Sequence, residues 1–125
     1  MGYESTLLVV KPLRSLHHDG RTYASIVATI DLCVMPHAFQ RRVRDRWEKN
    51  DLCVYMDGSD VSEDMYGDPL LAADLDTAIT DLRLADAQIL VEDGERYRRL
   101  PPAIAMLEGF DQSQWDELLV LHYGH

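Results

Sequence analysis

The densest run of groups able to do chemistry lies at Met56–Pro69, MDGSDVSEDMYGDP, with five acidic residues and no Lys or Arg. Such a run suits cation binding, imitation of a nucleic-acid backbone, or plain solvation. An EF-hand loop needs oxygen ligands at alternate positions, Gly at the sixth and Glu at the twelfth. Counted from Asp57, the fifth position is Val61 and the sixth is Ser62, so the pattern fails. A looser carboxylate site from Asp57, Asp60, Glu63 and Asp64 is what remains of a hard-cation reading. The run also extends further. From Asp57 to Asp76 there are seven acids, Asp57, Asp60, Glu63, Asp64, Asp68, Asp74 and Asp76, and no Lys or Arg. If these share one face, their carboxylates could occupy the Lys/Arg groove of a nucleic-acid-binding protein, with steering raising the rate of encounter. Tyr55, Met56, Met65 and Tyr66 flank them and are of types enriched at interfaces. The plainer account is solubility, since a net charge well away from zero keeps a small domain dispersed.

The other reactive side chains are scattered. Zinc needs Cys or His at tight spacing. His17 and His18 are adjacent, which in a strand sends them to opposite faces. His122 and His125 stand three apart at the chain end, and Cys33 and Cys53 are 20 apart with no CxxC. Both cysteines sit in apolar, strand-like contexts and read as reduced, buried residues. For nucleophilic catalysis, Cys33 or Cys53 with His37 or His122 is the available pairing, and no GxSxG elbow accompanies it. The phosphate-cradling patterns GxxxxGK[ST] and GxGxxG are absent as well. The expectation is a protein that is not an enzyme and carries no metal or cofactor.

A second charged feature opposes the first. Phe39–Lys49 carries Arg41, Arg42, Arg44, Arg46 and Lys49 against Asp45 and Glu48, a net of +3. Arg at this density could pair with phosphates. The alternative is structural: this face docks on the protein's own acidic half or on a second copy, so a homodimer stays open. Residues 1–49 hold eight Lys/Arg against five Asp/Glu, whereas residues 50–125 hold four against seventeen, and the chain carries −10 overall. Such a balance disfavours nucleic acid and anionic membranes and favours basic protein surfaces.

These residues must be positioned by a small fold. At 125 residues and 46% hydrophobic, the chain suits one domain spanning 1–125, with enough apolar residues for a real core. No apolar run approaches a membrane span, and MGYESTLLVV lacks a signal peptide's basic start. Gly2 does not open a good myristoylation motif, and the expected compartment is the cytosol. Tyr3–Lys11 reads as a strand ended by Pro12, and Asp19-Gly20 as a hairpin turn. Tyr23–Val34 reads as the returning strand, with a helix from Ala24 as its rival. Phe39, Val43 and Trp47 form a narrow apolar stripe on a surface helix that begins after Pro36 and stops near Asn50. Leu52–Met56 is a short strand. Asp74 caps a helix whose inward face is Leu75, Ala78/Ile79, Leu82, Ala85/Asp86 and Ile89, broken at Glu92-Asp93-Gly94. A further helix starts near Pro101 or Pro102, turns Ile104, Met106 and Leu107 inward and stops at Gly109. Asp111 or Ser113 caps a turn at Trp115, and LLVLHYGH forms a last strand. The expected class is α+β: about four strands in an antiparallel or mixed sheet, with about three helices packed on one face.

Five stretches, MGYESTLLVV, YASIVATIDLC, DMYGDPL, YRRLPPAIAMLEGFDQSQW and LLVLHYGH, make the chain resemble a group of small, functionally unassigned proteins encoded by bacteriophages and prophages. The resemblance spans nearly the whole chain in patches, none of them a mechanistic motif. QRRVRDRWEKN is not among them. The resemblance implies a protein of the host bacterial cytosol that inhibits or modulates a host nucleic-acid-handling or defence complex, anti-CRISPR inhibitors being the leading example. The expected partner is a basic protein surface, met by Asp57, Asp60, Glu63, Asp64, Tyr66, Asp68, Asp74 and Asp76. The basic helix is a secondary face, and a nucleic-acid-binding accessory protein is the second class.

Overall fold

Asp19-Gly20 and Asp57-Gly58 each place two successive residues at positive φ, 52° and 76° in the first pair, 52° and 84° in the second. Two such residues turn the chain with the twist that paired strands require, so each makes a tight hairpin. The first joins β1 (Glu4–His18) to β2 (Arg21–Val34), and the second joins β3 (Leu52–Met56) to β4 (Ser59–Val61). The remaining elements are α1 (His37–Arg46), β5 (Leu71–Asp74), α2 (Leu75–Asp93), α3 (Leu100–Glu108) and β6 (Leu119–Gly124). The computed structural model describes residues 4–34, 36–94, 97–110 and 117–125. The turn expected at Asp111, Ser113 and Trp115 lies outside the described residues.

The sheet has six strands in the order β4-β3-β2-β1-β6-β5, rather than about four. It is mixed: β2 and β3 run parallel and the other pairs antiparallel. The two additional strands, β4 and β5, are three and four residues long, too short to show a period in sequence. β1 also continues through Pro12 instead of ending there. β6 pairs with β1 only as far as Val10, and the β1–β2 register shifts between Pro12 and His17. Pro12 thus sits where one flank is unpaired among the described residues and the ladder is irregular, the setting in which a strand tolerates Pro.

The sheet rolls until its ends meet. Glu48, just before β3, exchanges backbone bonds with Ala72 of β5 at 2.9 and 2.8 Å. Asn50 donates from Nδ2 to the Leu70 carbonyl at 2.7 Å and accepts from the Leu52 N–H at 2.8 Å. Strand alternation then sorts β1 between two cores. Leu8 and Val10 face one cluster with Ala24, Leu52, Val54, Leu70, Ala72 and Leu121. Leu7 and Val9 face the other, with Ile30, Leu32, Val120 and all three helices.

Helices on one face of the sheet are therefore observed. Phe39, Val43 and Trp47 are all buried, with Phe39 and Trp47 edge to face at 5.7 Å. α1 ends at Arg46, before the stop expected at Asn50, because Trp47 is extended and its N–H returns to the Val43 carbonyl. Asp74 caps α2 through the Thr77 N–H at 2.7 Å, and left-handed Gly94 closes it. In α3 Ile104 and Leu107 point inward, but Met106 is 47% exposed, and Leu100 and Ala103 take the inward positions instead. Among the described residues, no helix is long and apolar enough to cross a membrane.

Candidate protein interface

The acidic run is built on the β3–β4 hairpin and the connection from Ser62 to Leu70. On the hairpin, Asp60 stands opposite Tyr55, and the Tyr23 hydroxyl donates to Asp60 Oδ2 at 3.3 Å. Asp60, by its charge and that bond, raises the Tyr23 hydroxyl above its ordinary pKa. Asp57 occupies the left-handed turn position next to Gly58.

In the connection, Asp64 folds the chain around itself. Its Oδ1 accepts from the Tyr66 N–H at 2.9 Å and the Asp68 N–H at 3.0 Å. Its own N–H donates to the Asp68 carbonyl at 2.8 Å, and its carbonyl accepts from Gly67 at 3.1 Å. Gly67 supplies the positive φ that the turn needs, 80°. The Met65 N–H bonds the Gly124 carbonyl at 3.0 Å, which ties the turn to the end of β6. Leu70 plugs the inner core and fixes the other end. This geometry turns side chains outward: Tyr55 is 68% exposed, Met65 72% and Tyr66 54%. Exposed Asp57, Asp60, Glu63 and Asp68 belong to the same two segments. The hairpin tip and the turn also converge. Burial first, then Asp57 and Asp64, hold the Tyr123 hydroxyl above its usual range.

Not every acid named from the sequence belongs here. Asp74 is spent on the α2 cap and lines a hollow with Arg46, Glu48 and Lys49, where the charges are mixed. Asp76 lies in the exposed first turn of α2. The seven-acid run therefore divides: Asp57, Asp60, Glu63, Asp64 and Asp68 belong to the hairpin and turn, and Asp74 and Asp76 to the start of α2.

Part of the basic helix serves the inside of the molecule. Asp81 of α2 is fully buried. It accepts from Arg46 Nε at 3.0 Å and from the Trp47 indole at 2.9 Å, with Arg42 Nη1 at 3.6 Å. A buried carboxylate persists when its oxygens are paired and hydrogen-bonded in this way. Two of the five cations are thus committed to Asp81, while Arg44 pairs with Asp45 at 3.1 Å. Arg41 and Lys49 are exposed. Asp81 was not picked out from the sequence. The acid placed on the inward face of α2 was Asp86, which is indeed buried; Asp81 stands beside that face, three residues after Ala78 and four before Ala85.

Between α1 and the Asp64 turn lies a hollow of about 490 Å³, lined by Arg44, Lys49, Asp64, Asp68, Leu71 and His122 among others. Burial pushes the His122 imidazole down to about 4, with Asp64 opposing the shift and His125 adding to it. His125 meets Thr6 Oγ1 at 2.9 Å and Glu4 at 3.6 Å. The buried Cys53 thiol has unfavourable surroundings for attack. Cys33 Sγ lies 3.9 Å from Asp31 Oδ2, and burial followed by Asp60 raises the Cys53 thiol, partly offset by Arg21. A nucleophilic Cys needs the opposite shift. Among the described residues, no group of three His, Cys, Asp or Glu side chains is placed to hold a metal ion. Comparison with family models, with curated proteins and with solved structures returns no match to this chain.

Proposed function

We propose that this chain is a small acidic binding protein that acts by contact with a basic protein surface. Its concrete form is inhibition or modulation of a host nucleic-acid-handling or defence complex, as an anti-CRISPR protein does, with carboxylates taking the place of phosphates. The observation that carries the reading is the exposure of Tyr55, Met65 and Tyr66 within a stretch whose only charges are negative. Large aromatic and Met side chains supply interface anchors, and the surrounding acids supply steering and partner choice. Asp64 is the scaffold of this surface, while Asp57, Asp60, Glu63, Asp68 and Tyr66 make the contact.

The test is capture from host lysate, followed by binding to the recovered partner as purified protein. Asp60→Lys/Glu63→Lys/Asp68→Lys, with far-UV circular dichroism unchanged, should abolish binding, and rising salt should weaken the wild-type complex steeply. Undiminished binding by that variant would remove the proposal. If the isolated protein instead binds duplex DNA, and Arg41→Ala/Arg44→Ala abolishes it, the α1 face is the functional one.

A further inference from the structure

β2 is 14 residues long, yet β3 pairs with it only at Thr22–Ala24. β1 occupies the opposite side of β2. Toward its end the far edge is closed by side chains: the Tyr97 hydroxyl sits on the carbonyls of Leu32 and Val34, and Arg99 Nη1 lies 3.5 Å from that of Asp31. Between these limits, at Ser25–Ile30, no strand among the described residues pairs with the far edge. The segment reads SIVATI, with no charge, no Pro and no Gly. Ser25 and Thr29 are exposed, and Ile26, Val27 and Ala28 are half-buried.

Proteins protect open edges with charges, Pro, or very short strands. β4 fits that rule, being three residues long with Asp60 in its centre, and β5 has its outer side bonded to Glu48. Ser25–Ile30 carries no charge and no Pro and belongs to a long strand; its one irregularity is the shift of register at Val27, between Ile26 and Ala28. Its edge-facing backbone donors and acceptors, unpaired among the described residues, are complementary to another extended backbone. We infer that Ser25–Ile30 accepts an extended peptide segment of a partner protein as an added strand.

The dimensions favour a peptide over a second copy. Six residues of strand span roughly 20 Å, which suits one strand of ordinary length. A second β2, being 14 residues, would project at one end into the space of β3 and at the other onto Tyr97 and Arg99. Charge narrows the peptide further. A chain of −10 repels acidic segments and attracts basic ones, while at the end of the opening Asp31 is already bonded to the Cys33 N–H and has Arg99 at its carbonyl. The bound segment is therefore extended and basic, with backbone pairing supplying affinity and alternate side chains supplying selectivity. This deepens the binding-protein reading but uses a different surface, so the two fail separately.

The test is amide hydrogen exchange on the intact protein with a short synthetic peptide of alternating Thr and Val bearing Lys at each end. With peptide tenfold above its Kd, the edge-facing amides within Ser25–Ile30 should slow about tenfold, because protection follows 1 + [L]/Kd. Thr29→Lys, at an exposed position, should remove that protection. Asp60→Lys/Glu63→Lys should leave it intact, since the acidic surface takes no part. A peptide N-methylated at alternate residues should not protect. Equal protection by the N-methylated peptide would mean side-chain adhesion, not strand addition, and would overturn the inference. So would edge amides already as slow in the free monomer as those of the β1–β2 ladder. Protection that tracks protein concentration with a doubling of mass would assign the edge to a second copy, and no protection by the unmodified peptide would reject it.

Discussion

Asp81 and Asp60 are the same side chain in opposite surroundings. Asp81 is sealed between α1 and α2, with an indole and two guanidiniums around its oxygens. Asp60 stands on an exposed hairpin with one phenol for company. The first is a structural charge and the second is free to meet a partner. The contrast also explains the two charged features of the sequence. α1 is basic in part because α2 buries an acid against it, whereas the acids after Met56 are held away from the cores by two left-handed turns. Local density of charge therefore says little about use; burial decides it.

Breaking the Asp81 cluster should have the largest effect. Asp81→Ala leaves Trp47 Nε1 and two guanidiniums without their acceptor, and removing one partner of a buried ion pair costs about 3 kcal/mol. Urea unfolding should show the midpoint falling with an unchanged slope. A loss no larger than that of an exposed Asp would show that the cluster is solvated and the contrast false.

Next comes His122, which lines the hollow between α1 and the Asp64 turn. Its folded pKa of about 4 lies below the ordinary 6.5. As pH falls, the unfolded chain therefore takes up the proton first, and the native state loses stability. That stability is fully present above about pH 6.5, should fall by about 2 kcal/mol on reaching about pH 5, and is lost as pH drops through the folded value. Urea titrations across this window should show the slope in wild type and its loss in His122→Gln. An equal slope in both would place the titration elsewhere. Smaller still is Asp74→Ala, which removes the α2 cap and should cost about 1 kcal/mol, measured by thermal unfolding.

These ranks separate what the chain shows locally from what it does not. Asp19-Gly20, the Phe39/Val43/Trp47 stripe, the Asp74 cap and the Gly94 stop are local: each rests on dihedral preference or on spacing within a few turns. Pro12 is different, because its tolerance depends on where β6 begins, more than 100 residues later. β4 and β5 exist because of their partners, as three or four residues carry no period of their own. The acids themselves were legible, but their division was not. Whether Asp74 joins Asp57 depends on the course of the chain from one edge of the sheet to the other. Asp81 is an intermediate case: its place beside an apolar stripe is visible in the sequence, but its partners, Arg46 and Trp47, lie 35 and 34 residues away.

The smallest effect on folding is expected where the effect on binding is largest. Asp60→Ala, Glu63→Ala and Asp68→Ala remove exposed carboxylates and no core contact, so the urea midpoint should stay where it is at ordinary salt. At low salt it should rise slightly, because each substitution relieves repulsion within a chain of −10. The rise should fade as the screening length shrinks from about 30 Å at 0.01 M to about 10 Å at 0.1 M. Asp64→Ala is the internal control, since it shares the charge of its neighbours but also holds the Tyr66 and Asp68 amides. It should lower the midpoint at every salt concentration. If all four variants behaved alike, Asp64 would be only one more surface charge, and the turn that presents Met65 and Tyr66 would be held by its backbone bonds, Gly67 and the buried Leu70 without the Asp64 carboxylate.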